Sequence, residues 1–117
     1  MVMARNLVLI ALTGLAAAAP ARAEARIARC VLLSGGERYA GPCRFSAESG
    51  GSFSLAAMKR GRRLLGASVI SVTMIGGGLA DVRGLTPEGI NSEWGPAKRS
   101  RRDRACWKGA DFLICAP

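Results

Sequence analysis

The chain has 117 residues, and its 17 Lys and Arg against 8 Asp and Glu give a net charge of +9. It contains four cysteines and no histidine, which excludes Ser-His-Asp and Cys-His catalytic arrangements and zinc sites with mixed Cys/His ligands. No S-x-x-K pattern is present, and no spacing among the acidic residues singles out a catalytic pair. We therefore expect a protein that is not an enzyme and that uses no cofactor and no metal ion.

Residues 1–23 have the features of a secretory signal peptide. Arg5 precedes an apolar segment at residues 7–19, and Ala21-Arg22-Ala23 fits an A-x-A cleavage site. The apolar segment is short for a transmembrane helix, although an uncleaved N-terminal anchor is the alternative interpretation. We predict a periplasmic or secreted protein in which residues 24–117 form one domain, with no transmembrane segment after cleavage. That domain has 15 Lys and Arg against 8 Asp and Glu, a net charge of about +7.

The first two cysteines predict a β-hairpin. If Cys30 and Cys43 face each other, the turn falls at Gly36 and Glu37, which puts glycine first in a two-residue loop of type II′. An even number of cysteines in an exported chain favours two disulfides. In the chain-entropy model, closing this loop stabilises the protein by about 3 kcal/mol.

The middle of the chain predicts three further strands. Residues 52–55 alternate so that Phe53 and Leu55 are buried, and residues 59–63 follow as a basic loop. Residues 67–75 and 79–84 then form a hairpin centred on Gly77. This register produces an apolar face and a polar face. The apolar pairs are Val72 with Val82 and Met74 with Ala80, and the polar pairs are Ser71 with Arg83 and Thr73 with Asp81.

Residues 85–105 are predicted to form a long loop, with a helical turn at residues 96–102. The second half of this loop is strongly basic and follows a tryptophan, so it is a candidate surface for an anionic partner. A solvated loop with no binding role is the alternative interpretation. The candidate binding residues are Trp94, Lys98, Arg99, Arg101, Arg102 and Arg104.

Residues 106–115 predict a last hairpin, closed by a disulfide between Cys106 and Cys115. Trp107 lies beside this disulfide on an apolar strand, so we predict that its indole is in the core. A disulfide between Cys43 and Cys106 is the rival pairing. Loop entropy does not choose between the two pairings, whereas local hairpin geometry favours Cys30 with Cys43 and Cys106 with Cys115.

The cysteine spacing and the residues around it resemble small exported disulfide-bonded proteobacterial proteins of unknown function. The resemblance covers most of residues 24–117 and implies a fold and a compartment. It rests on Gly36, Tyr39, Gly41, Cys43, Phe45, residues 50–53, Trp94-Gly95, Cys106, Trp107, Gly109 and residues 114–116.

A second segment resembles periplasmic inhibitors of c-type lysozyme. These are small disulfide-bonded β-barrels that insert a Ser-Gly-x-x-Tyr loop into the acidic cleft of the enzyme. The matching residues are Ser34, Gly35 and Tyr39, with one residue more between Gly35 and Tyr39. The resemblance implies an inhibitor loop at these positions.

These observations predict an all-β fold, a small antiparallel sheet or open barrel of five to seven strands stapled by two disulfides. The function that we expect is non-enzymatic binding of an anionic cell-envelope component through the basic loop. An envelope protein is the other partner class, and nucleic acid is not expected as the natural partner of an exported protein. An inhibitor of an envelope-directed enzyme such as lysozyme, and a structural or assembly factor, are the alternative functions.

Overall fold

The computed structural model describes residues 25–117, and the predicted signal peptide lies outside these residues. Eight antiparallel strands follow one another around a closed barrel, and β1 pairs with β8 to complete it. A single 3₁₀ turn, Ser49–Gly51, lies between two of the strands. The strands are β1 (Ala25–Ser34), β2 (Glu37–Ala47), β3 (Phe53–Ala56), β4 (Val69–Gly76), β5 (Leu79–Leu85), β6 (Asn91–Arg99), β7 (Cys106–Lys108) and β8 (Phe112–Cys115).

The all-β antiparallel prediction is confirmed, but the predicted number of strands and the open barrel are wrong. The additional strand is β6, which lies in the segment predicted to be a loop with a helical turn at residues 96–102. β6 pairs with β5 along most of its length and with β7 at its end. Without it, β5 and β7 would have no common neighbour, so this one strand turns an open sheet into a closed barrel.

A β-bulge explains why β6 does not look like a strand in the sequence. Val82 pairs with Gly95 and Arg83 pairs with Glu93, so Trp94 is an extra residue on β6. Gly95 has a φ of 112°, which glycine adopts without the strain that a side chain would cause. Gly95 and Pro96 therefore belong to an irregular strand and do not end it.

The β1–β2 hairpin has a different turn from the predicted one. Gly35 and Gly36 both have positive φ, 57° and 82°, as the two central positions of a type I′ turn require. The turn is therefore at Gly35-Gly36, and the predicted type II′ turn at Gly36 and Glu37 is wrong. In the observed register, Cys30 lies opposite Gly41, so the disulfide joins diagonal neighbours on one face of the hairpin.

The predicted local disulfides are both present. Cys30 is bonded to Cys43 and Cys106 to Cys115, and the last two are directly opposite each other in the β7–β8 pair. The rival pairing of Cys43 with Cys106 is not formed. Cys30 and Cys43 are completely buried, so their disulfide is part of the packed interior.

The predicted register of the β4–β5 hairpin is confirmed at all four residue pairs. Phe53 and Leu55 are buried on β3, as their alternation predicts, and the predicted core position of Trp107 is also confirmed, since only 3% of it is exposed. Side chains from all around the barrel fill its interior, as is usual for eight strands. The largest completely buried ones are Leu32, Leu55, Leu64, Ile70, Val72, Val82 and Ile114.

The strand order places the connections alternately at the two ends of the barrel. The upper end carries the connections at residues 48–52, 77–78 and 100–105, together with the beginning of β1. The lower end carries those at residues 35–36, 57–68, 86–90 and 109–111. Within residues 25–117, no helix has the length and apolar character needed to cross a membrane.

Trp94 is half-buried and packs against the hydrophobic core. Its ring meets Phe112 edge to face with the ring centroids 5.8 Å apart, and it covers the buried Gly84. A Cβ atom on Gly84 would lie 2.7 Å from Trp94 Nε1. The absence of a side chain at position 84 is therefore what allows the indole to lie there.

This contact gives a prediction for stability. Gly84→Ala should destabilise the protein by about 1 to 3 kcal/mol in chemical denaturation, because the new methyl group overpacks the indole. In a Trp94→Ala background, the same change should be neutral or stabilising, since alanine loses less backbone entropy than glycine on folding. Equal losses in the two backgrounds would show that the indole is not what excludes a side chain at position 84.

Candidate functional site

The predicted basic segment forms one wall of a groove at the upper end of the barrel. The β6–β7 connection lies beside the β4–β5 turn, and the Arg99 backbone N–H donates to the Gly78 carbonyl at 2.9 Å. The groove between them has a volume of about 450 Å³. It is lined by four cationic residues, two glycines, one leucine and one serine: Lys98, Arg99, Arg101, Arg104, Gly77, Gly78, Leu79 and Ser100.

Local hydrogen bonds hold the β6–β7 connection in a defined shape. Ser100 Oγ accepts from the backbone N–H groups of Arg102 and Asp103 at 3.2 and 3.3 Å. The Asp103 carboxylate accepts from the Ala105 N–H at 3.0 Å. The backbone positions of the cationic residues are therefore set before any partner binds, which reduces the entropy lost on binding.

The cationic groups of the groove have no acidic partners among the residues that the structure describes. The ion pairs of residues 25–117 are elsewhere: Arg63 lies 3.4 Å from Glu88, and Arg83 lies 3.2 Å from Asp81 and 3.0 Å from Glu93. Asp103 is the one carboxylate within the basic segment, and it bonds to the turn backbone. The groove therefore combines several uncompensated positive charges in a small volume.

Arg99 has a structural role in addition to its charge. Its guanidinium lies over the Trp107 ring, 5.2 Å from the centroid, and its Nε donates to the Arg104 carbonyl at 2.8 Å. Arg26 lies in the same way over Phe45, at 4.4 Å, and Phe45 stacks on Phe53. These pairs line a second cavity of about 330 Å³, which shares Arg99 and Arg104 with the groove.

The structure brings together four of the six candidate binding residues. Lys98, Arg99, Arg101 and Arg104 line the groove, and Arg102 is exposed in the same connection without lining it. Trp94 does not join them, because its half-buried ring packs on Phe112 and Gly84. The side of the groove that the sequence did not indicate is the glycine turn at residues 76–78, which lies beside the basic segment because β6 pairs with β5.

The residues of the lysozyme-inhibitor resemblance are at the lower end. Ser34 and Gly35 belong to the β1–β2 turn, and Tyr39 is half-buried further along β2. The Tyr39 hydroxyl donates to the Pro42 carbonyl at 2.6 Å, so the ring is held against its own strand. The basic loop at residues 59–63 is also at this end, away from the groove.

A pair of carboxyl groups was not identified from the sequence. Arg83 bridges Asp81 and Glu93 on the outer face of β5 and β6, at 3.2 and 3.0 Å. The hydrogen bond between the two carboxyl groups lowers the pKa of Asp81, and the Arg83 guanidinium lowers it as well. The same hydrogen bond and the negative charge of Asp81 raise the pKa of Glu93. The β6 bulge shifts the register so that Glu93 lies opposite Arg83. Sequence spacing does not predict this arrangement.

No group of three or more His, Cys, Asp or Glu side chains within residues 25–117 is arranged to hold a metal ion. Comparisons with known proteins find no match for this chain among protein-family models, curated proteins or solved structures. The two family resemblances therefore stay predictions.

The carboxyl pair gives a prediction about titration. Asp81→Asn should lower the pKa of Glu93 from its raised value, because the neighbouring negative charge is removed while Arg83 remains 3.0 Å from Glu93. Carboxyl-carbon NMR titration measures this shift directly. Glu88→Gln, a change at the lower end, is the control and should leave the titration of Glu93 as it is. An unchanged pKa of Glu93 in Asp81→Asn would contradict the assigned cause.

Proposed function

We propose that this is a non-enzymatic exported protein that binds an anionic cell-envelope component in the basic groove at the upper end of the barrel. One observation carries the proposal: Lys98, Arg99, Arg101 and Arg104 line one groove, and none of them is in an ion pair within residues 25–117. Cationic groups that are brought together without acidic partners cost electrostatic free energy, and an anion in the groove would offset that cost.

The chemistry of the groove suits phosphate or carboxylate groups. Guanidinium groups donate paired hydrogen bonds to both, and three of the four cationic residues are arginines. The opposite wall includes Gly77 and Gly78, where no side chain keeps a ligand away from the backbone. The groove is thus open enough to admit a bulky charged group.

Export is part of the proposal and is supported from two directions. Residues 1–23 have a signal-peptide pattern, and all four cysteines are in disulfides, which persist in oxidising compartments. Binding is proposed in preference to catalysis because the sequence has no histidine for general acid–base chemistry near neutral pH.

The inhibitor alternative has less support from the geometry. The tip of the β1–β2 turn is Gly35-Gly36, so it presents no aromatic side chain to an enzyme cleft. Tyr39 is the residue that the resemblance would use, and its hydroxyl is already bound to Pro42. For these reasons we place the binding function in the groove.

The test compares two triple variants that remove the same charge from opposite ends. Lys98, Arg101 and Arg104 are changed to Ser at the groove, and Lys59, Arg60 and Arg62 are changed to Ser at the lower end. Arg99 is left in place because it packs on Trp107, and Arg63 because it pairs with Glu88. Affinity for immobilised lipopolysaccharide and for an acidic wall polymer is measured across a salt series.

The groove triple should bind weakly and reduce the slope of log affinity against log salt by about 2 to 3, because fewer counterions are released. Its melting temperature should change little, since these are solvated charges. The lower-end triple should retain most of the affinity. An equal loss from both triples would mean diffuse attraction with no site, and unaltered binding by the groove triple would contradict the proposal.

A further inference from the structure

Two exposed apolar side chains flank the glycine turn that forms one wall of the groove. Ile75 is 64% exposed and Leu79 is 39% exposed. The residues between them, Gly76, Gly77 and Gly78, all have positive φ and form a turn without side chains. We call this turn together with Ile75 and Leu79 the apolar tip. An isoleucine this exposed has little contact with its own protein, so its side chain is free to contact an apolar surface outside the protein.

These apolar side chains are next to the cationic ones. Leu79 lines the groove and lies directly opposite Lys98 in the β5–β6 pair, and Lys98 in turn lies opposite Lys108. Directly opposed residues share a face of the sheet, so Leu79 and the two lysines are neighbours on the outer wall. Ile75 is at the irregularity between Met74 and Gly76, at the edge of the same turn.

An apolar tip among cationic groups matches the interface of a lipid bilayer. There, isoleucine and leucine enter the boundary of the acyl chains while lysine and arginine remain with the lipid phosphates. Each basic residue near an anionic surface contributes to such binding, and a single apolar tip adds to it. A soluble polyanion would use the cationic groups but would leave Ile75 in water.

We propose that the upper end docks on the surface of an anionic lipid bilayer, with Ile75 and Leu79 in the interface and the groove cations on lipid phosphates. This inference rests on the proposed function and specifies the anionic component as membrane lipid. The charges supply attraction and the apolar tip supplies preference for a bilayer over a dissolved polymer. The two contributions are therefore separable by mutation.

The chain offers a closely matched control at the lower end. Ile90 is 61% exposed and Leu85 is 39% exposed, and they flank the turn at residues 86–89. That turn contains Glu88, which pairs with Arg63. The control pair thus has the same residue types at nearly the same exposure beside a turn whose charges are compensated.

The experiment measures cosedimentation with vesicles of phosphatidylglycerol mixed with phosphatidylcholine, and with vesicles of phosphatidylcholine alone. The protein is purified after export with its disulfides intact, and all variants carry the same N-terminal sequence. Ile75→Ser with Leu79→Ser should reduce partition onto the anionic vesicles about tenfold, because the buried apolar surface is lost. Leu85→Ser with Ile90→Ser should partition like the unmodified protein.

The soluble acidic polymer separates this inference from the proposed function. Ile75→Ser alone, which leaves every residue that lines the groove in place, should bind it with unchanged affinity and salt slope while losing partition onto the anionic vesicles. Binding of the polymer without binding of anionic vesicles would overturn membrane docking and leave the groove proposal standing. Equal vesicle partition by the two double variants would also overturn it, and failure to bind either probe would overturn both proposals.

The fluorescence of a tryptophan placed at the apolar tip provides a second measurement. Ile75→Trp should shift its fluorescence to shorter wavelength when anionic vesicles are added, since the new indole leaves water. Ile90→Trp should show no such shift. The reverse pattern would place the docking surface at the lower end and overturn the inference.

Discussion

The pairing of β6 with β5 and β7 is the interaction on which the architecture depends. Without β6, β5 and β7 would each lack a neighbour even with β1 and β8 paired, whereas with it every strand has a partner strand on both sides. The bulge at Trp94 makes the pairing compatible with Gly95 and Pro96. The β5–β6 pair then brings the β4–β5 turn against the β6–β7 connection, and the groove between these connections follows from it.

How much the sequence predicts depends on whether a feature is local. The β4–β5 register follows from alternation around glycines, and the burial of Trp107 follows from its place beside a cystine, so both are confirmed. β6 is missed because its signal is broken by a bulge and because its cationic residues look like a loop. Trp94 is misplaced for the same reason, since only the bulge and the small Gly84 turn its ring toward Phe112.

The candidate site shows the same division. Spacing alone identifies Lys98, Arg101 and Arg104 as a cluster, because they are close in sequence. It gives no information on which turn lies opposite them, on the role of Arg99 over Trp107, or on the Asp81–Glu93 pair. Each of these depends on the pairing of β6 with β5 or β7, and β6 is the strand that the sequence predicts to be a loop. A sequence pattern therefore predicts the charge of this surface and not its shape.

The disulfides have a consequence for the order in which this protein folds. Each joins cysteines of one hairpin, at sequence separations of 13 and 9, so both can form between segments that meet early. The seam between β1 and β8 pairs Val31 with Cys115 and is far less local, so the entropy of closing that long loop must be offset before its contacts stabilise the chain. The chain can therefore be oxidised hairpin by hairpin while its barrel is still open, and correct cross-linking does not have to wait for the complete fold.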